Sequence, residues 1–183
     1  MRIISGKHRG RKLVEFTAEG IRPTSDRAKE SLFNILSTKI VGATVLDLFC
    51  GSGSIGLECV SRGADKVYFN DKSASSVAVL KKNISILKEE SCCAVSISDY
   101  KDFLNRCSVK FDIIFLDPPY AEEFGVPALT AISQRGLLKK GGVAIYERDR
   151  AFEGEIAGLK KVDERKYGKA YLTFFKAEER AEE

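Results

Sequence analysis

Asp47-Leu48-Phe49-Cys50-Gly51-Ser52-Gly53-Ser54-Ile55-Gly56-Leu57-Glu58 is the stretch on which the fold of this chain turns. Residues 43–49, apolar except for Thr44 and Asp47, read as a strand buried on both faces of a parallel sheet. That strand runs directly into a glycine-rich turn that opens a helix. Gly51 and Gly53 permit backbone conformations that a side chain would block, and they let a ligand lie on the main chain. The spacing Gly51-x-Gly53-x-x-Gly56 would also suit a dinucleotide, or a strand and helix whose glycines serve only tight packing. Asp47, just ahead of the first glycine, discriminates among these readings. A carboxylate is awkward beside a pyrophosphate but favourable beside a sulfonium and an amino acid ammonium. The turn therefore favours S-adenosylmethionine over NAD.

A second apolar run, residues 111–116, ends in Asp117-Pro118-Pro119-Tyr120. In open α/β sheets ligands bind at the carboxyl ends of the strands, and two prolines there fix φ, remove two backbone donors and make the chain leave the sheet rigidly. The Asp117 carboxylate and the Pro118 carbonyl can together accept both hydrogens of an exocyclic amino group, while Tyr120 offers a ring face to a flat base. Such a grip orients the lone pair of a poor nucleophile toward an electrophilic methyl and stabilises the positive charge that develops. The plain alternative is a strand-ending turn, for which Asp and Pro are ordinary residues.

Two more acids fall at matching places. Residues 66–70 form a short strand candidate ending at Asp71, about twenty residues past the glycine turn, where a carboxylate can bond ribose hydroxyls. Residues 94–98 form another, ending at Asp99-Tyr100, where Asp99 can accept from an adenine amino group and the Tyr100 backbone can donate to the ring. Each acid alone reads as a solvated loop residue. Asp47, Asp71, Asp99 and Asp117 at the ends of successive strand candidates do not.

The chain resembles the bacterial RsmD-type methyltransferases. The resemblance spans nearly the whole chain: Arg2-Ile3-Ile4-Ser5-Gly6-Lys7-His8-Arg9-Gly10-Arg11-Lys12-Leu13, the block from Ile21-Arg22-Pro23-Thr24-Ser25-Asp26-Arg27 through Leu36, the glycine turn, Asp117-Pro118-Pro119-Tyr120 and Tyr167-Gly168. The two amino-terminal blocks carry its specificity, because the other motifs are shared with many amino-methylating enzymes, including those acting on adenine. The resemblance implies the class I, Rossmann-like methyltransferase fold and methyl transfer to the N2 amino group of a guanine in 16S ribosomal RNA. It implies Asp117, Pro118, Pro119 and Tyr120 at the target amine, and Asp47, Gly51, Gly53, Asp71 and Asp99 around the cofactor, to which Phe49, Cys50, Lys72 and Tyr100 are added as neighbours. It further suggests a small ribosomal subunit or its assembly intermediate as partner, and a monomer. Lys29, where arginine is more usual, and Asp71, where glutamate is frequent, depart mildly from the family pattern.

Strand and helix signals alternate along the rest of the chain, which implies a parallel, doubly wound α/β sheet. Helices are predicted near residues 54–62, 73–87, 100–107 and 121–135, and a strand over 143–147 after Gly141-Gly142. Strands near 156–165 and 170–175 would form a terminal hairpin, one strand antiparallel, completing seven strands. Thr24 or Ser25 can cap a helix running to about Ser37, with Leu32, Phe33, Ile35 and Leu36 facing the core. Its polar side includes Arg22 and Thr24, which are given an active-site role. Short strands at 2–5 and 12–16 predict an amino-terminal β-hairpin arm, residues 1–20, ahead of a single methyltransferase domain over 21–183. Residues 176–183 are charged and expected to fray.

At 183 residues, 44% apolar and 31% charged, the chain fits one soluble domain with a full core. No apolar run approaches membrane-spanning length and no signal core follows the basic start, so a cytoplasmic location is expected. Five cysteines and one histidine without paired C-x-x-C spacing argue against disulfides and zinc, and no metal is expected. Charge is concentrated at the start: the first thirty residues hold eight Lys or Arg against four acids, an excess equal to the whole net charge of +4. Arg2, Lys7, Arg9, Arg11, Lys12, Arg22 and Arg27 are the candidate RNA-phosphate contacts. An adenine-N6 methyltransferase, an NAD oxidoreductase and a non-catalytic RNA-binding module are the competing functions. The oxidoreductase lacks an evident hydride-transfer partner, and the binding module has no need of four acids at strand ends.

Overall fold

Val45 and Leu46 lie side by side in β1 (Thr44–Asp47), yet they belong to different cores, because successive strand residues point to opposite faces. The same division runs through β4 (Phe111–Leu116), where Ile113 and Phe115 face one side and Ile114 and Leu116 the other. Both faces are covered, which is why these runs carry no alternation in sequence. The computed structural model describes residues 1–15, 26–119 and 123–178.

The remaining strands are β2 (Lys66–Asp71), β3 (Cys93–Ile97), β5 (Leu138–Arg148), β6 (Leu159–Tyr167) and β7 (Ala170–Ala177). They form one seven-stranded sheet in the order β3-β2-β1-β4-β5-β7-β6. The first five are parallel, and β7 inserts antiparallel between β5 and β6. This is the mixed α/β sheet with a terminal antiparallel hairpin predicted above. Helices α1 (Asp26–Ile35), α2 (Ser54–Ser61) and α3 (Ala74–Leu87) cover one face through Leu32, Phe33, Leu57 and Leu80. Helices α4 (Tyr100–Arg106) and α5 (Gly125–Gln134) cover the other through Leu104, Ala128, Leu129 and Ile132.

Four local expectations need correction. β5 begins at Leu138, so Gly141 and Gly142 lie within it; they coincide with a register shift against β4 between Phe111 and Ile113, and the strand bulges where a break was predicted. Ile35 is 38% exposed, and the buried stripe of α1 instead runs through Lys29, Leu32, Phe33 and Leu36, the i, i+3, i+4, i+7 spacing of a helix face. α5 starts at Gly125, with Ala121 and Glu122 outside the described residues. Among the described residues the arm is an antiparallel turn with one Arg2–Lys12 bridge, closed by Ile3 N–Arg11 O, Gly10 N–Ile3 O and Leu13 N–Met1 O bonds and not by two full strands, because the N–H groups of Ile4, Ser5, Lys7 and His8 bond to α2. Phe16 of the predicted second arm strand is outside the described residues.

Candidate active site

The glycine turn between β1 and α2 is held by the two acids that flank it. Asp71 Oδ2 accepts from Gly51 N at 2.8 Å, and its Oδ1 accepts from Ser73 N at 2.8 Å. Asp47 Oδ2 accepts from Gly56 N at 2.9 Å, in the first turn of α2. Gly51 and Gly53 have φ of 51° and 89°, conformations that favour glycine. A Cβ at Gly51 would enter open space, so the turn presents bare backbone on that side. Asp47 is 4% exposed; burial, and to a smaller extent Asp71, push its carboxyl up to about 7, against the opposing Gly56 bond and Lys29.

Beyond the turn, Asn70 joins three strand ends. Its Nδ2 donates to Leu48 O at 3.3 Å and Ser98 O at 3.2 Å, and its Oδ1 accepts from Ser98 Oγ at 2.8 Å. Asp99 caps α4 by accepting from Lys101 N at 2.8 Å through Oδ1, and it is exposed. Tyr100 is buried, its ring 5.5 Å from that of Phe49 and 5.1 Å from that of Phe124. Phe49 and Phe124 lie nearly parallel at 6.5 Å, and Lys72 Nζ sits 5.4 Å from the Phe124 ring centroid. The ends of β1, β2 and β3 thus bring together backbone amides, carboxylates and an aromatic wall, the components needed to receive an amino acid, a ribose and a purine. Cys50 is a buried thiol whose ionisation is opposed by burial and by Asp47 and Asp71, so it is no nucleophile.

Asp117 stands one strand away. β1 and β4 pair in parallel with Asp47 opposite Phe115, and β4 pairs with β5 with Leu116 opposite Tyr146, so Asp117 leaves the sheet between the ends of β1 and β5 beside Glu147. It retains accessible surface but sits deep among protein atoms. Loss of water, then the charges of Glu147 and Asp47, push its carboxyl well above the ordinary carboxylate range. Pro118 and Pro119 line a recess of 350 Å³ that also touches Tyr146, Glu147, Arg148 and Arg150.

Arg2, Lys7, Arg9, Arg11 and Lys12 are all exposed. Lys7 Nζ pairs with Glu89 Oε1 at 2.7 Å, as does His8 Nε2 at 2.6 Å. The side chains of Arg9, Arg11 and Lys12 have no hydrogen bond or ion pair among the described residues. Arg22, Thr24 and Tyr120, together with the side chain of Arg27, lie outside the described residues.

Sequence reading missed the group that fixes the arm. Glu58 is fully buried and receives four donors: Ile4 N and Ser5 N at 2.9 Å, Arg62 Nε at 2.8 Å and Lys29 Nζ at 3.2 Å. Asn83, also fully buried, accepts from Val14 N at 2.8 Å and donates to Val14 O at 3.0 Å and Ser52 O at 3.1 Å, linking arm, α3 and glycine turn. The only signal for either was a polar residue on the core-facing side of a predicted helix.

A family model described as Conserved hypothetical protein 95 matches residues 1–176. Ribosomal RNA small subunit methyltransferase D of Haemophilus influenzae is 40% identical over 153 residues, covering 82% of this chain and 79% of that protein. The protein of the same name from Escherichia coli K12 is 37% identical over 149 residues, covering 81% and 75%. A solved Escherichia coli structure, "Putative methyltransferase yhhF", superposes with a TM-score of 0.87 at 31% identity over 97% of this chain and 98% of that one. The chain therefore belongs to the Conserved hypothetical protein 95 family, that of the ribosomal RNA small subunit methyltransferase D proteins, and has their S-adenosylmethionine-dependent methyltransferase fold.

Proposed function

We infer that this protein uses S-adenosylmethionine to methylate the N2 amino group of one guanine in small-subunit ribosomal RNA. The carrying observation is the adjacency, on neighbouring strands β1 and β4, of a bare glycine turn clamped by Asp71 and an Asp117-Pro118-Pro119 exit. The residues present fit the cofactor. Open space over Gly51 suits a ligand lying on the backbone, the carboxylate set suits a cation, and Asp71 keeps lone pairs for ribose hydroxyls beyond the one each oxygen gives to the turn.

S-adenosylmethionine brings a methyl group bonded to a positively charged sulfur. The protein holds the acceptor. Asp117 and the Pro118 carbonyl take the two hydrogens of the guanine amino group, turning its lone pair in line with that methyl, and Tyr120 is assigned to stack on the base. As the N–C bond forms, the nitrogen gains positive charge, which Asp117 stabilises and relieves by taking a proton. The reaction needs neither a covalent enzyme intermediate nor a metal. The base must be unpaired or flipped out to enter.

Arg2, Lys7, Arg9, Arg11 and Lys12, with Arg22 and Arg27, are assigned to RNA phosphates. The substrate is the small subunit or an assembly intermediate containing it, methylated in the cytoplasm by a monomer. Among the described residues no helix is long and apolar enough to cross a membrane.

The test is transfer from labelled S-adenosylmethionine to small ribosomal subunits from a strain lacking the activity, with the labelled nucleoside identified by mass spectrometry. N2-methylguanosine at one position is expected. N6-methyladenosine would keep the fold and the Asp117 chemistry but overturn the guanine reading, and absence of label on subunits, naked RNA and DNA would favour a binding module.

A further inference from the structure

The recess beside Asp117 is lined by two groups that make no contact with the methylated amine in the proposed reaction. Glu147, the penultimate residue of β5, is only 8% exposed yet lines this recess, and the parallel register places it next to Asp117. Its neighbour Arg148 has a buried Nε with no hydrogen-bond partner among the described residues. Its guanidinium is held 5.4 Å from the Tyr146 ring centroid and 5.7 Å from that of Phe152. A buried N–H without a partner is costly in a folded protein, and one facing a recess is matched when a ligand supplies an acceptor.

We propose that Glu147 and Arg148 read the Watson–Crick edge of the target base and make the site selective for guanine. That edge carries, in order, the N2 amino group, the N1–H donor and the O6 acceptor. At the sheet edge Asp117 and Pro118 follow the end of β4 as acceptors, and Glu147, an acceptor, and Arg148, a donor, end the neighbouring β5; Pro118, Glu147 and Arg148 all line the recess. With the amino group held at Asp117, N1–H donates to the Glu147 carboxylate and O6 accepts from Arg148. Adenine presents a lone pair at N1, which the Glu147 carboxylate repels, and its amino group lies at the O6 position, where it meets a donor. At 350 Å³ the recess lies within the range of pockets that hold one small ligand, roughly 300–1,000 Å³. Arg150 and Glu123, paired at 3.2 Å on its rim, are exposed and have no part in the reading.

This selectivity rests on guanine N2 being the methylated atom, and the experiment keeps the two claims apart. Small subunits are reconstituted with RNA bearing guanosine, or 2-aminopurine riboside, at the nucleotide that the wild-type enzyme labels. 2-Aminopurine keeps the reacting amino group but lacks both N1–H and O6. The wild-type enzyme is expected to prefer guanosine by about 10²-fold or more in kcat/KM, since sites built to bond a substrate N–H reject analogues lacking it. Glu147→Gln, whose amide can donate to an unprotonated N1, should reduce that preference to about tenfold or less, with S-adenosylmethionine affinity unchanged as evidence of folding. Arg148→Met should slow guanosine and leave 2-aminopurine unaffected, which decides the matter if Glu147→Gln is inactive on both. A preference that survives both substitutions unchanged would overturn the proposal. Failure of the underlying reading would show earlier, as a wild-type product other than N2-methylguanosine.

Discussion

The carboxylates at the ends of β1 to β3 and those at the ends of β4 and β5 share one sheet edge but are held differently. On the first side, Asp47, Asp71 and Asp99 each accept a backbone N–H, and those bonds shape the glycine turn and cap α4. On the second, Asp117 stands beside Glu147, and loss of water together with the Glu147 charge opposes its ionisation. Fixed acceptors make a rigid cradle, whereas crowded carboxylates with an adjustable proton suit a step in which an amine gains and then loses charge. Binding and chemistry are therefore separable by mutation.

On the binding side of this contrast, the largest effect is expected in the cradle. Asp71→Ala removes the acceptor of both Gly51 and Ser73, and should weaken S-adenosylmethionine binding by about 10²-fold in calorimetry, close to 2.7 kcal/mol. Unchanged affinity would show that the turn holds its shape without the clamp.

Asp47 is the boundary case, hydrogen-bonded like its neighbours yet pushed up to about 7. Its folded form keeps a proton that the unfolded chain gives up near 3.8, so the folded state loses stability as pH rises from about 4 to 7 and levels off above. Asp47→Asn preserves an acceptor for Gly56 and removes that loss; urea denaturation at pH 8 should find the variant about 1–3 kcal/mol more stable, with little difference at pH 4. Equal stability at pH 8 would mean the Asp47 charge is already compensated.

The pH–rate profile probes the other side. Asp117 accepts hydrogens as a carboxylate, and its ionised form is lost as pH falls through a raised pKa, so the acid limb of kcat/KM should lie above the ordinary carboxylate range. Glu147→Gln removes the stronger of its two negative neighbours and should move that limb to lower pH, with the Asp47 contribution remaining. A limb that stays in place would dissociate the pair.

The smallest effect is expected in the arm. Replacing Arg9, Arg11 and Lys12 with Gln should weaken RNA binding uniformly across sequences and flatten its salt dependence by about 0.7–0.9 log units per lost phosphate contact. A salt slope equal to that of the wild type would remove these residues from the interface.

The strands bearing Asp47, Asp71, Asp99 and Asp117 were legible because a sheet covered on both faces leaves continuous apolar runs, and an acid at the end of such a run is conspicuous. Residues whose partners lie far along the chain were not. Glu58 closes the quoted glycine segment, but its role depends on Ile4, Ser5 and Lys29, which reach it only after folding. Phe124 joins Phe49 and Tyr100 from an unrelated loop, and Asn70 acts across three strand ends. The glycine pair within β5 was misplaced because a bulge and a strand boundary share the same local signal. Glu147 reads in sequence as the polar end of a strand; only the register sets it beside Asp117.

The most direct measurement compares Asp117→Ala with the wild-type protein in two assays: single-turnover methyl transfer to small ribosomal subunits, and equilibrium binding of S-adenosylmethionine. The account predicts a transfer rate lower by about 10³-fold or more, with cofactor affinity within about twofold, since the lost group acts on the developing charge and not on the cofactor. Near-normal transfer, or a loss explained by weaker cofactor binding, would contradict it.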